Sequence, residues 1–132
     1  MKLLPLTCFL LALASCGGHT AGPSQPLDAR VTVSHGETRG TEGGVALRFD
    51  AVTEDSRCPL NAMCVAAGRA VAQVTIMDNS REARVEIRSD PPASRTAIVG
   101  DLRVEWQQLE PYPVAGRTMP PSEYKLTMRI TR

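Results

Sequence analysis

Hydrophobic and polar residues alternate with a period of two along most of the chain beyond residue 30. This alternation is typical of β-strands that bury one face. It predicts strands at residues 30–34, 45–52, 69–77, 82–88, 96–99, 102–109 and 124–131. No segment carries apolar residues at i, i+3, i+4 and i+7 over three helical turns, so we expect little helix.

Turn-forming residues separate these segments about every ten residues. The triplet Asp78-Asn79-Ser80 lies between two of them and predicts a hairpin. The predicted fold is therefore all-β, an antiparallel sandwich or open barrel of about six to eight strands. The residues expected to share apolar faces are Val45, Leu47, Phe49 and Ala51 in one strand, and Leu102, Val104 and Trp106 in another, with Gln108 as a further candidate.

The N-terminal segment differs from the rest of the chain. Met1-Lys2 is short and positive, and residues 3–12 are almost entirely apolar. This run is shorter than the roughly 20 residues that a transmembrane helix needs, and its flanks are typical of a secretory signal peptide. The next residues, Leu13-Ala14-Ser15-Cys16, resemble the lipobox of bacterial lipoproteins.

The resemblance implies that residues 1–15 are a signal peptide and that Cys16 is the first mature residue, acylated on its thiol and its amine. Several acyl chains anchor a protein stably, whereas a single chain binds a membrane only marginally. Gly17 at the following position implies a place in the outer membrane of the bacterial envelope. The alternative is an ordinary secretory signal that leaves Cys16 as a free thiol.

The mature chain then divides into two parts. Residues 16–27 comprise the lipidated N-terminus and a tether rich in Gly and Pro, with a root-mean-square span of about 17 Å. Residues 28–132 form a single β domain. The formal charge of the 132-residue chain is +1, and the loss of Lys2 with the signal peptide makes it zero. A neutral chain is not expected to bind nucleic acid.

The remaining cysteines predict one disulfide. Cys8 is removed with the signal peptide and Cys16 is acylated, so Cys58 and Cys64 are left as an even pair in an oxidising compartment. Closing so short a loop contributes about 2–2.5 kcal/mol on the chain-entropy model. Redox catalysis is disfavoured, because the spacing is not Cys-x-x-Cys and no helix follows.

The segment around this pair carries a second resemblance. Asp55-Ser56-Arg57-Cys58-Pro59, followed by Cys64-Val65-Ala66-Ala67-Gly68, resembles the Asp-Ser-Arg-Cys-Pro…Cys…Ala-Gly signature of an uncharacterised family of small exported bacterial proteins, many of them lipoproteins. The Pro111-Tyr112-Pro113 loop and residues 124–130 are similar to the closing loop and final strand of that family. The resemblance implies an exported all-β domain and no particular activity. Family members often carry Trp where this chain has Ala66.

Two irregular segments are candidate binding loops, at residues 53–68 and 111–121. We expect Arg57 to brace the disulfide loop by pairing with Asp55, Asp50 or backbone carbonyls. Arg57 and Tyr112 are the candidate residues of a partner-binding loop, and Tyr112, between two prolines, is the more exposed of them.

No catalytic residue and no cofactor are expected. His19 and His35, the two histidines, are not at paired metal-ligand spacing. We therefore expect a lipid-anchored envelope protein that is not an enzyme, a binding module that acts as an accessory or inhibitor of an envelope protein. The alternatives are a hydrolase using Glu54, Asp55, Glu105 and Glu110, or a carrier of a small ligand or a metal, with calcium held by Asp50, Glu54, Asp55, Asp78 and Asn79.

Overall fold

The computed structural model describes residues 26–79 and 81–132. These residues form two antiparallel sheets of four strands each, which pack as a sandwich and are not closed into a barrel. The predicted all-β fold with one disulfide is therefore confirmed. The predicted signal peptide, Cys16 and the tether up to residue 25 lie outside the described residues.

Eight strands make up the two sheets in this part of the chain, in the orders β1-β8-β7-β6 and β2-β3-β4-β5. Their bounds are β1 Asp28–Ser34, β2 Thr38–Gly40, β3 Val45–Asp55, β4 Ala70–Asp78, β5 Arg81–Arg88, β6 Thr96–Val99, β7 Leu102–Glu110 and β8 Lys125–Thr131. Short 3-10 helices cover Pro92–Arg95 and Pro121–Glu123. Across residues 26–79 and 81–132, no helix has the length and apolar character required to cross a bilayer.

The hydrophobic core lies between the two sheets. Phe49 and Ile76 enter it from one sheet, and Leu126 and Met128 enter it from the other. Trp106 is buried among them, which confirms its expected place on an apolar face. The hairpin predicted at Asp78-Asn79-Ser80 is present, since β4 and β5 pair in register next to it.

β-Bulges shift the alternation that the sequence predicts. In β3 the pairing register shifts between Phe49 and Ala51 and again between Val52 and Glu54, so Val52 packs against the core in place of Ala51. In β7 a shift between Trp106 and Gln108 buries Leu109 and leaves Gln108 exposed. The core assignments of Ala51 and Gln108 are wrong, because a bulge adds one residue and reverses the inward and outward faces after it.

The two ends of the sandwich carry different features. At one end, the amide of Arg132 donates a hydrogen bond of 2.9 Å to the carbonyl of Leu27, close to the start of β3. At the other end, β3 finishes where Asp55 pairs with Ala70, and the segment 56–69 projects from there. We call the first end the tether pole, because the predicted tether precedes Leu27, and the second end the disulfide pole.

Candidate functional site

Arg57 is the central residue of the disulfide pole and is only 7% exposed. Its guanidinium donates hydrogen bonds of 2.7 Å from Nε and 2.7 Å from Nη2 to the two carboxylate oxygens of Asp55. It also donates to the carbonyls of Leu109 at 2.6 Å and Pro111 at 2.9 Å. The expected pairing of Arg57 with Asp55 and with backbone carbonyls is confirmed. This bidentate pair fixes the plane of the guanidinium, so Arg57 holds residues 111–121, which we call the Pro-rich loop, against the end of β3.

Two tyrosines complete this arrangement. The ring of Tyr112 lies against the guanidinium of Arg57, with 4.6 Å between the ring centroid and Cζ, and it is 46% exposed. The hydroxyl of Tyr124 donates a hydrogen bond of 2.9 Å to Oδ2 of Asp55. We call Asp55, Arg57, Tyr112 and Tyr124 the Arg57 cluster. The cluster joins β3, the Pro-rich loop and the residue that precedes β8.

The cluster shifts the pKa values of two of its members. Burial raises the pKa of Asp55, but the hydrogen bonds and positive charge of Arg57, with the hydroxyl of Tyr124, outweigh burial and hold that pKa below its usual value. Burial and, after it, the hydrogen bond and charge of Asp55 raise the pKa of Tyr124 to about 12. At neutral pH the carboxyl of Asp55 is therefore ionised and the phenol of Tyr124 keeps its proton.

The segment 56–69, which we call the disulfide segment, is closed by the predicted bond between Cys58 and Cys64, whose Cα atoms are 5.9 Å apart. Behind this bond its two arms are hydrogen-bonded, from the amide of Ser56 to the carbonyl of Arg69 and from the amide of Cys58 to the carbonyl of Ala67. The segment is therefore a closed ribbon that continues past the ends of β3 and β4.

Gly68 allows the two arms to approach closely. Its φ is +69°, and a Cβ built on it would lie 1.7 Å from the carbonyl oxygen of Ser56. Only glycine fits a position with both restrictions. Gly68, the last residue of the signature-like sequence, therefore has a structural role, because it allows the two arms of the ribbon to come together.

The disulfide segment is also docked onto the Pro-rich loop. The amide of Leu60 donates a hydrogen bond of 3.0 Å to the carbonyl of Pro113, and the amide of Ala115 donates one of 2.7 Å to Oδ1 of Asn61. Together with the bonds from Arg57, these contacts bring together the two distant parts of the sequence that resemble the exported family. The loop predicted at 53–68 begins at residue 56, because residues 53–55 belong to β3, and it forms one surface with the loop 111–121.

Three apolar side chains of the disulfide segment are exposed to solvent. Their solvent-accessible areas, relative to a fully exposed residue of the same type, are 73% for Leu60, 103% for Met63 and 112% for Val65. No charged residue occurs from position 58 to position 68. Three exposed apolar side chains within six residues of one loop make this loop a candidate interaction site. We call Leu60, Met63 and Val65 the apolar tip.

Two ion pairs lie next to the disulfide segment. Glu54 binds Arg69 with a distance of 3.1 Å, and on the Pro-rich side Arg117 binds Glu123. A groove of about 400 Å³ adjoins the segment. Its lining includes Asp90, Arg95, Trp106, Gln107 and Tyr112.

The acidic residues considered as calcium ligands or as catalytic carboxylates are mostly bound to arginines. The pairs are Asp50 with Arg48, Glu54 with Arg69, Asp55 with Arg57, and Asp78 with Arg132. Glu105 and Glu110 lie on β7, the first half-buried and the second exposed. The ring of His35 packs edge-on against Phe49. Within the described ranges, no group of three or more His, Cys, Asp or Glu side chains is arranged so that it could hold a metal ion.

Comparison of the chain with protein-family models, with curated proteins and with solved structures finds no match. The functional argument therefore depends on the disulfide pole itself. Sequence reasoning identified Cys58, Cys64, Arg57 and Tyr112 there. It missed Tyr124, which comes from the opposite sheet, and it missed the apolar tip, for which the uncharged run at 58–68 was the available signal.

Proposed function

We propose that the protein is a lipid-anchored binding module of the bacterial envelope, without a catalytic role, that recognises its partner through the disulfide pole. The observation that carries this proposal is a rigid loop whose exposed apolar side chains lie outside the core. The disulfide, the ribbon hydrogen bonds and the Arg57 cluster hold the loop in place. A loop ordered before binding loses little conformational entropy when it binds.

The Arg57 cluster contributes to recognition in two ways. Arg57 is buried, so it positions the loops, whereas the half-exposed ring of Tyr112 is available to a partner beside the apolar tip. Aromatic rings on rigid supports are frequent anchors of protein interfaces. The partner is an envelope protein, for which this chain serves as an accessory or an inhibitor.

The anchor is the second part of the proposal. The lipobox-like sequence that ends at Cys16 supports acylation there, and Gly17 supports a place in the outer membrane. Leu27 lies at the tether pole, at the opposite end of the sandwich from the disulfide segment. An anchor attached through this end leaves the disulfide pole free to bind.

The anchor is tested by fractionation of cells that express the full chain. The native chain should sediment with membranes, and its mature N-terminus should carry acyl groups by mass spectrometry. Cys16→Ser should release the protein into the soluble extract, while the double variant Cys58→Ser, Cys64→Ser should still sediment. An unacylated native N-terminus would overturn this part.

Binding is tested by cross-linking in the envelope followed by affinity purification of the anchored chain. The native chain should retain a partner that the double variant Cys58→Ser, Cys64→Ser retains much less, because the open loop loses its fixed conformation. Glu42→Gln is the control, since Glu42 is exposed and lies near the tether pole, away from the disulfide pole. Equal retention by all three chains, or no partner with any of them, would contradict the proposal.

A further inference from the structure

We infer that the apolar tip inserts into an uncharged apolar cleft of an extracytoplasmic protein, on the side of the domain that faces away from the anchoring membrane. This inference rests on the proposed function. It adds the contacting residues, the chemistry of the partner surface and the orientation of the bound domain.

The exposure of the apolar tip indicates that another molecule covers these side chains. Leu60, Met63 and Val65 are not among the residues of the core. Transfer of their side chains from water to an apolar surface is favourable, and it requires no rearrangement of the sandwich. A convex loop with apolar side chains is complementary to a concave apolar surface.

The charge distribution indicates that the surface it meets is uncharged. The eleven residues from 58 to 68 carry no charge. The neighbouring charges of Glu54 and Arg69 satisfy each other, as do those of Arg117 and Glu123. A phosphate-rich surface attracts Lys and Arg, and the tip offers neither. Contact through the tip should therefore respond little to salt.

The geometry of the sandwich places the tip away from the anchoring bilayer. β3 has 11 residues and runs from the tether pole to the disulfide pole, a separation of about 35 Å at the rise of a strand. The predicted tether has a mean span of only about 17 Å. Residues 58–68 also lack the Trp, Tyr, Lys and Arg residues that are typical of segments at a membrane interface.

A second copy of this chain fits the tip less well than a cleft does. Three side chains, each smaller than an aromatic one, offer less than about 600 Å². Stable interfaces bury about 800 Å² on each partner. A cleft can cover the loop on several sides and also contact the half-exposed ring of Tyr112.

The test uses the full anchored chain in a bacterium that expresses it naturally. A photoreactive phenylalanine analogue replaces Val65 in the tip or Glu42, an exposed residue near the tether pole. Irradiation should give an adduct with a protein from position 65 at a yield at least about tenfold above that from position 42. The partner is then identified by mass spectrometry and purified.

Titration of the purified partner with the native chain decides the chemistry of the contact. The Kd should change less than about twofold between about 0.05 and 0.5 M NaCl. Met63→Asp should raise the Kd at least about tenfold, because it places a charge in an apolar cleft. Glu42→Gln is the matched control and should leave the Kd unchanged. Met63 is fully exposed, so the melting temperature of Met63→Asp should equal that of the native chain.

Several results would overturn the inference. These are adducts at position 65 that contain only lipid or only a second copy of the chain, a Kd that rises steeply with salt, and an unchanged Kd in Met63→Asp. Protein adducts at position 42 alone would overturn both the inference and the disulfide pole as the binding site, whereas an unchanged Kd in Met63→Asp would leave the proposed function intact. The absence of protein adducts at both positions would remove the inference and count against the proposed function as well.

Discussion

The hydroxyl of Tyr124 donates a hydrogen bond to the carboxylate of Asp55, and this contact of 2.9 Å joins the two sheets at the disulfide pole. Tyr124 directly precedes β8 of one sheet, and Asp55 is the last residue of β3 in the other. The same carboxylate is paired with Arg57. The stability of this pole therefore depends on the protonation of both Asp55 and Tyr124.

The alkaline titration of Tyr124 provides the first test. The chain has two tyrosines, so Tyr112→Phe leaves Tyr124 as its only phenol. Phenolate absorbance of this folded variant should rise with a midpoint of about 12, whereas in denaturant the midpoint should be about 10. Because folding raises this pKa, the stabilisation is complete below pH about 10 and is lost as the pH rises through the folded value. A midpoint near 10 with an unchanged circular dichroism spectrum would contradict the hydrogen bond.

Asp55→Asn tests the buried ion pair. The substitution leaves the buried guanidinium of Arg57 without its counter-charge, so the free energy of unfolding should fall by about 3–5 kcal/mol in urea titration at pH 7. Glu54→Gln, which removes an exposed ion pair from the neighbouring residue, should have a much smaller effect.

The native chain and Asp55→Asn should also differ in how the free energy of unfolding depends on pH. The pKa of Asp55 is lower in the folded than in the unfolded state, so its stabilisation is present above about pH 4 and is lost as the pH falls through the lower, folded value. The difference in free energy of unfolding between the native chain and Asp55→Asn should therefore narrow below about pH 4. A constant difference from pH 7 to pH 2 would show that Asp55 is not the titrating group.

Gly68→Ala should destabilise the disulfide pole. The added Cβ would overlap the carbonyl oxygen of Ser56, and alanine also disfavours the positive φ. We expect a loss of about 2–4 kcal/mol in the free energy of unfolding, with faster hydrogen exchange at the amide of Ser56. Gly116→Ala shares the positive φ but meets no neighbour, so its loss should be about 1 kcal/mol. Equal losses for the two variants would mean that the ribbon can open without cost.

Oxidation with dilute hydrogen peroxide should distinguish the methionines. Peroxide transfers one oxygen atom to the thioether sulfur and leaves water. Met63 is fully exposed and Met128 is fully buried, so peptide mapping should find the sulfoxide at Met63 first. The singly oxidised protein should keep the native melting temperature and lose affinity for the partner, because a polar group then lies in the apolar tip. Equally fast oxidation of Met128 would show that the core is open to solvent.

Much of the fold follows from alternation alone. The strands with one apolar face, such as those that contain Phe49, Trp106 and Met128, are predicted correctly because the period of two matches the pleat. β2 is absent from the prediction, since its three residues Thr38–Gly40 are all exposed and carry no apolar signal. The faces of Ala51 and Gln108 are wrong, because nothing in the local composition marks a bulge.

The candidate site was predictable only in part. The disulfide follows from the parity of the two cysteines that remain beyond the predicted lipobox, and the role of Arg57 as a brace follows from its place next to Cys58. The contribution of Tyr124 depends on the packing of one sheet on the other, which a single sequence does not encode locally. Exposure of the apolar tip is likewise a tertiary property, because Leu60, Met63 and Val65 could equally have been core residues by their type.

In the proposed binding module, the complete exposure of Met63 and Val65 separates the residues of recognition from those of folding. Substitutions at these positions alter the contact surface and leave the core, the Arg57 cluster and the ribbon unchanged. The sequence of the loop can therefore change while the structure of the sandwich stays the same. For the same reason, replacement of the residues between Cys58 and Cys64 by another sequence of equal length should leave the folded scaffold unchanged while it presents a different surface.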